Sequence, residues 1–269
     1  LLRYSAMGLL TYFQKQSGLV KVLLGTLCIV VLIIVYATVY YGQINSAADP
    51  RVLEARELLR KYEKGLESDQ YGLALSLLRA IDLIYASTPG YEYSYERGVI
   101  YNNMASVYLV QLETAILNKE DIDRTWMVEN LDTAESYIRK AIAVYDNWLV
   151  TMGELSAEEI DSRIRPTFNQ QDPLLNDKNI EMIIRKRVDD LLLAQTENKR
   201  RLSVTYANLG VVERYQGKLE LAKRSYEKAL ALWDRNYTAR NNLNVLMNQP
   251  VEKRSMIDRL FPPERSEEL

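Results

Sequence analysis

Between Val22 and Tyr41 the chain shows no alternation of apolar and polar positions: every residue is apolar, small or uncharged, and no acid or base breaks the run. About 20 such residues cross a hydrocarbon core of about 30 Å, whereas a helix in a soluble bundle keeps a polar face. The pattern predicts a membrane-spanning helix over residues 18–42. Val22, Leu23, Leu27, Ile29, Val31, Leu32, Ile33, Ile34 and Val35 lie in hydrocarbon, and Tyr40 and Tyr41 mark its far boundary. The run exceeds the apolar core of about 7–15 residues in a cleaved signal peptide, so an uncleaved signal anchor is expected. Upstream, residues 1–17 space Leu2, Ala6, Leu9, Leu10 and Phe13 as on one helix face. An interfacial helix, a continuation of the span and a strip touching a partner subunit are all compatible with that spacing.

Beyond Pro50 the apolar spacing is helical nearly throughout, Gly and Pro fall at a few breaks, and no period-two strand stands out. The expected class is therefore all-α: one N-terminal transmembrane helix, a helical repeat domain over residues 49–249, and a short amphipathic segment with a polar tail over residues 250–269. Ser156 and Glu159 have the spacing of a capping box before a short helix that ends near Pro166, and Pro166–Lys178 reads as loop. From about Asn179 one apolar stripe runs through Ile183, Ile184, Val188, Leu191, Leu202 and Tyr206 to Leu209 without a breaker. A single lengthened helix is expected there, projecting beyond the array of repeats.

The most regular stretch is Ser203–Asn236, two amphipathic segments joined by "QGKL". Tyr206, Leu209, Gly210, Gly217, Ala222, Tyr226 and Ala229 fall where the tetratricopeptide repeat has a large residue, a Leu-Gly pair, a turn glycine, and then Ala, an aromatic and Ala. The stretch resembles that family, with Glu213 where an aromatic is usual and Asp234 where a closing proline is common. A second unit over residues 98–150 carries Tyr101, Met104, Ala105 and Tyr108, then Ala134, Ile138 and Ala141, around an insertion. A third, degenerate unit over residues 50–86 has Ala74, Leu78 and Ile81 at the same spacing. Residues 151–202 hold the inserted helices. The resemblance implies a TPR-like α-solenoid of helix pairs whose concave face, lined by first helices, binds proteins.

Charge and composition narrow the function. Residues 1–48 carry Arg3, Lys15 and Lys21 and no acid, so the remainder is more acidic than the whole-chain net charge of −2. A chain that tracks phosphates shows a basic stripe; here the densest basic runs, Arg185–Arg187 and Lys199–Arg201, lie beside acids and read as solvated helix face. No nucleic-acid partner is expected. The bases before the span, with bases and acids mixed after it, favour an inside N-terminus. That places the repeat domain outside the cytoplasm, in the periplasm of a bacterial inner membrane. The lone cysteine, Cys28, lies within the expected span, and histidine is absent. No catalytic residue, metal site or cofactor is expected: no phosphate loop, nucleophile elbow or metal-ligand spacing appears. The acid pairs Asp121/Asp123 and Asp189/Asp190 read as ordinary solvated charge.

The expected partners are protein subunits of a membrane or envelope complex and membrane lipid, with no small-molecule substrate. Candidate partner-binding residues are Asn102, Asn103 and Ser106 on one first helix, Asn208, Val211, Arg214 and Tyr215 on another, and Asn241 and Asn242 on a last one. Asn103, Asn208 and Asn242 align in register. An amide donates and accepts, which suits the backbone of an extended peptide; the competing explanation is that Asn is simply frequent before the Leu-Gly pair. Family members that clamp a C-terminal carboxylate place Lys and Arg on this face, but Val99, Asn102, Val204, Ala207, Thr238 and Asn242 stand there. Tyr91, Tyr93 and Tyr95 alternate in one loop and serve either as exposed contacts or, more simply, as core. The functional expectation is a membrane-anchored scaffold or adaptor, with a translocon-associated, chaperone-like binder of extended client polypeptides as the alternative.

Overall fold

A computed structural model describes residues 47–252, apart from Gln170, together with Val30. The N-terminal segment 1–17, the expected span 18–42 except Val30, and residues 253–269 lie outside the described residues. Among the described residues no helix is long and apolar enough to cross a membrane. The chain divides into two compact units, Leu1–Ala48 and Asp49–Leu269.

The second unit is helical wherever it is regular: α1 Leu53–Glu67, α2 Tyr71–Ser87, α3 Tyr95–Leu117, α4 Arg124–Met152, α5 Ala157–Ile164, α6 Ile180–Tyr215, α7 Leu219–Leu232 and α8 Tyr237–Leu246. Short 3-10 turns occupy Pro50–Val52, Arg165–Thr167 and Pro173–Leu175, and no strand occurs among the described residues, so the all-α expectation holds there. Side-chain caps start several helices. Asp123 accepts from the Trp126 N–H at 3.1 Å, Asn179 from Met182 at 3.1 Å, and Asn236 from Ala239 at 3.0 Å. Ser156 and Glu159 form both halves of a capping box.

α1 packs most extensively on α2, α3 on α4, and α6 on α7; α2 then meets α3, α4 meets α6, and α7 meets α8. The members that come first in each pair, α1, α3 and α6, and α8, which has no second member among the described residues, all end alike. Asp69, Lys119, Gly217 and Asn248 take positive φ of 54°, 56°, 75° and 56°. The next N–H then reaches back to a helix carbonyl: Gln70 to Gly65, Glu120 to Ala115, Lys218 to Glu213 and Gln249 to Asn244, at 2.7–3.1 Å. This left-handed stop satisfies a carbonyl that the helix leaves open, and only the third uses glycine.

The second members share a buried triad. Ala74, Leu78 and Ile81 on α2, Ala134, Ile138 and Ala141 on α4, and Ala222, Tyr226 and Ala229 on α7 are all 0 % exposed. Small residues let paired helices approach: a methyl group placed on Gly210 would lie 2.4 Å from Cε1 of Tyr226. The Glu213 departure also has a physical account. At the corresponding place in the preceding pair Tyr108 stacks on Tyr137, with ring centroids 6.2 Å apart; Glu213 instead accepts from the Ser225 hydroxyl at 2.6 Å. Burial pushes the Glu213 carboxyl up, against the lowering effect of that bond.

The structure corrects two local readings. The first half of α6 does not project into solvent: Ile183, Ile184, Val188, Leu191 and Ala194 are buried with Tyr145, Trp148 and Met152 of α4 and Ile160 and Ile164 of α5 in a core of their own. An apolar stripe of that length has to be covered, and the lengthened α4 together with α5 covers it. Arg187 is likewise not solvated. It is 5 % exposed and paired with the buried Glu96 of α3, beneath Tyr91, whose ring centroid lies 4.2 Å from the guanidinium. Tyr91 and Tyr95 are core residues at 2 % and 5 % exposure, while Tyr93 is 81 % exposed. Beside them the Arg51–Asp49 pair is buried, and Arg51 donates to the Thr167 carbonyl at 2.8 Å, tying the start of the unit to the inserted turns.

Candidate partner-binding surface

α3, α6 and α8 carry the amides singled out in the sequence, and α6 touches both of the others. Asn102 and Ser106 are one turn apart on α3 and so share a face. Asn208 of α6 donates to both, to Asn102 Oδ1 at 3.1 Å and to Ser106 Oγ at 3.3 Å. Asn103, the repeat equivalent of Asn208, is half-buried next to this contact in sequence. The amides join adjacent first helices as well as lining them, a part missed because alignment of repeats says nothing about how two helices cross.

Nearly two turns further along α6 than Asn208, Arg214 lies over the ring of Tyr215, 5.2 Å from its centroid, both half-buried. Tyr215 packs on the core that holds Ala207, Leu209 and Val212. Val211 belongs to that core at 8 % exposure and leaves little surface for a partner. The end of α6 is also tied to α4, since Gln216 donates to Glu135 at 3.1 Å. Burial would raise the Glu135 carboxyl, but Arg139 and Gln216 outweigh it and hold it below the usual range.

On α8, Asn242 is half-buried, and Asn241 is engaged with main chain at both ends of its amide. It accepts from the Glu252 N–H at 2.8 Å and donates to the Glu252 carbonyl at 3.1 Å. Asn244 donates to the Pro250 carbonyl at 3.2 Å, and Arg240 pairs with the Glu252 carboxylate at 3.3 Å. Asn244, Arg240 and Glu252 were not candidates from sequence; the run "RNNLN" held the signal, because its first, second and fifth residues share one face of a helix.

No family model, curated protein or solved structure matches this chain. The surface itself offers amides, hydroxyls, an arginine and an aromatic ring, a set suited to hydrogen-bonding and packing. Among the described residues no group of three or more Cys, Asp or Glu side chains could hold a metal ion. Of the acid pairs, Asp123 caps α4, and Asp190 pairs with Lys186 and, at 4.0 Å, with Arg56.

Proposed function

We propose that this chain is a membrane-anchored, TPR-like scaffold that binds protein subunits of an envelope complex through the face of its first helices. The observation that carries the reading is Asn241. Its amide already grips the backbone of Glu252 by both donor and acceptor, the recognition an asparagine-lined face offers to a peptide. The TPR-like part of the proposal is supported by the close contact of Gly210 with Tyr226, the shared stops of α1, α3, α6 and α8, and packing in successive helix pairs. Anchorage rests on the uncharged run Val22–Tyr41, and the side of the membrane on the distribution of Lys and Arg around it.

The test is affinity purification of the full chain from gently solubilised membranes, with mass spectrometry of what accompanies it. Fixed-stoichiometry subunits are expected, and the double variant Asn102→Ala, Asn208→Ala should lower their recovery at least tenfold while leaving helicity by circular dichroism unchanged. Heterogeneous, substoichiometric polypeptides would instead favour a client-holding role, and recovery unaffected by the double variant would remove this face from the interface. Protease added to spheroplasts should digest the helical unit if it lies outside the cytoplasm.

A further inference from the structure

The segment Pro250–Glu252 occupies a telling place. After the left-handed stop of α1 the chain enters α2 at Tyr71, and after that of α6 it enters α7 at Leu219. After the equivalent stop at Asn248 the chain enters no further helix up to Glu252 and turns back along α8, where Asn241 pairs with both main-chain groups of Glu252 and Asn244 holds the Pro250 carbonyl. We infer that Pro250–Glu252 is a built-in pseudo-ligand on α8, and that the same amides take a segment of a partner protein bearing a carboxylate side chain at the position of Glu252 when it leaves. This rests on the reading of the first-helix face as a peptide-binding surface and adds its regulation.

The chemistry favours exchange. Asn241 and Asn244 contact only main chain, so they tolerate different side chains in the bound segment, whereas Arg240 selects a carboxylate at the residue held by Asn241. Each of these bonds lies in solvent, and Val251 between them is 56 % exposed, so no buried side chain locks the segment in place. What holds it is covalent attachment, which for a short connection gives an effective concentration on the order of millimolar. A free peptide competes poorly until that advantage is removed.

The experiment uses the full chain in detergent and a fluorescent peptide of sequence Gln-Pro-Val-Glu-Lys-Arg-Ser, copied from residues 249–255, with binding read by anisotropy. Glu252→Pro removes the N–H from which Asn241 accepts and the carboxylate that Arg240 pairs with, beyond the end of α8. The peptide should bind this variant at least tenfold more tightly than it binds the wild type, and adding Asn241→Ala should abolish the gain. Asn241→Asp, which keeps an acceptor and loses the donor, should abolish it too. Equal binding to wild type and Glu252→Pro, or binding indifferent to Asn241, overturns the proposal. Absence of binding to Glu252→Pro while partners are still captured through Asn102 and Asn208 overturns the pseudo-ligand alone; absence of both overturns the peptide-binding surface as well.

Discussion

Gly210 is where a single atom matters most. A β-carbon there would press on the Tyr226 ring at 2.4 Å, and that ring is fully buried. Gly210→Ala gains about 1 kcal/mol in helix propensity but forces a core rearrangement that costs about 1–3 kcal/mol. The net change should be destabilising, and Tyr226→Leu should be less harmful in the Ala background than alone. A double-mutant cycle in urea, followed by tryptophan fluorescence, measures that coupling; strict additivity would mean the contact carries no energy. Lys119 makes the opposite case. It holds φ 56° at the end of α3, a conformation that carries a steric cost for any residue with a Cβ and little for glycine. Lys119→Gly should stabilise the domain by about 0.5–1 kcal/mol, seen as a raised urea midpoint at unchanged slope.

At the scale of elements, α3 and the inserted first half of α6 are pinned by the buried Glu96–Arg187 pair. Burial alone would raise the Glu96 carboxyl, but the Arg187 guanidinium outweighs it and holds the group below its usual range. The stability this shift contributes is complete above the ordinary carboxylate value of about 4.3 and is lost as pH falls through the lowered folded value. Arg187→Ala strands the charge and should cost about 3–5 kcal/mol at pH 7. It should also reverse the sign: without the guanidinium, burial, the largest influence on Glu96, should outweigh the remaining hydrogen bonds from its own backbone and Ser94 and lift the folded carboxyl above its unfolded value, so the variant should regain stability between pH 7 and pH 5 while the wild type changes little. Urea denaturation read from Trp148, whose ring centroid lies 5.6 Å from that of Tyr95, checks both statements.

Across the whole helical unit the organising element is α6. Its 36 residues, at about 1.5 Å each, extend roughly 54 Å. The first half belongs to the core with α5 and the later part of α4, and the second half to the core with α3, α7, α8 and the earlier part of α4. One unbroken helix shared by two cores should make them unfold together. Lys199 lies exposed near the middle, so Lys199→Pro breaks the helix at a cost of about 3 kcal/mol without emptying either core. Single-tryptophan chains reporting from Trp148 in one core and Trp126 beside the other should show coincident unfolding in the wild type and separated midpoints in the variant. Coincident midpoints in the variant would assign the coupling to α4, which also runs through both cores, and to the packing between them.

Helical class, the continuous stripe of α6, the Ser156/Glu159 box and the small-residue positions were legible in the sequence, because spacing along one helix and local capping are set by neighbours in the chain. The stops at Asp69 and Lys119 were not legible, since neither residue type marks a left-handed turn in the way Gly217 does. Nor were the pairing of Arg187 with Glu96 across 91 positions, the bond from Asn208 to Asn102, or the grip of Asn241 on Glu252. Each depends on where a second element arrives and at what angle. The sequence by itself determined which faces had to be buried; only tertiary structure decided which charges and amides met across them, because those meetings follow from helix crossing and not from helix period.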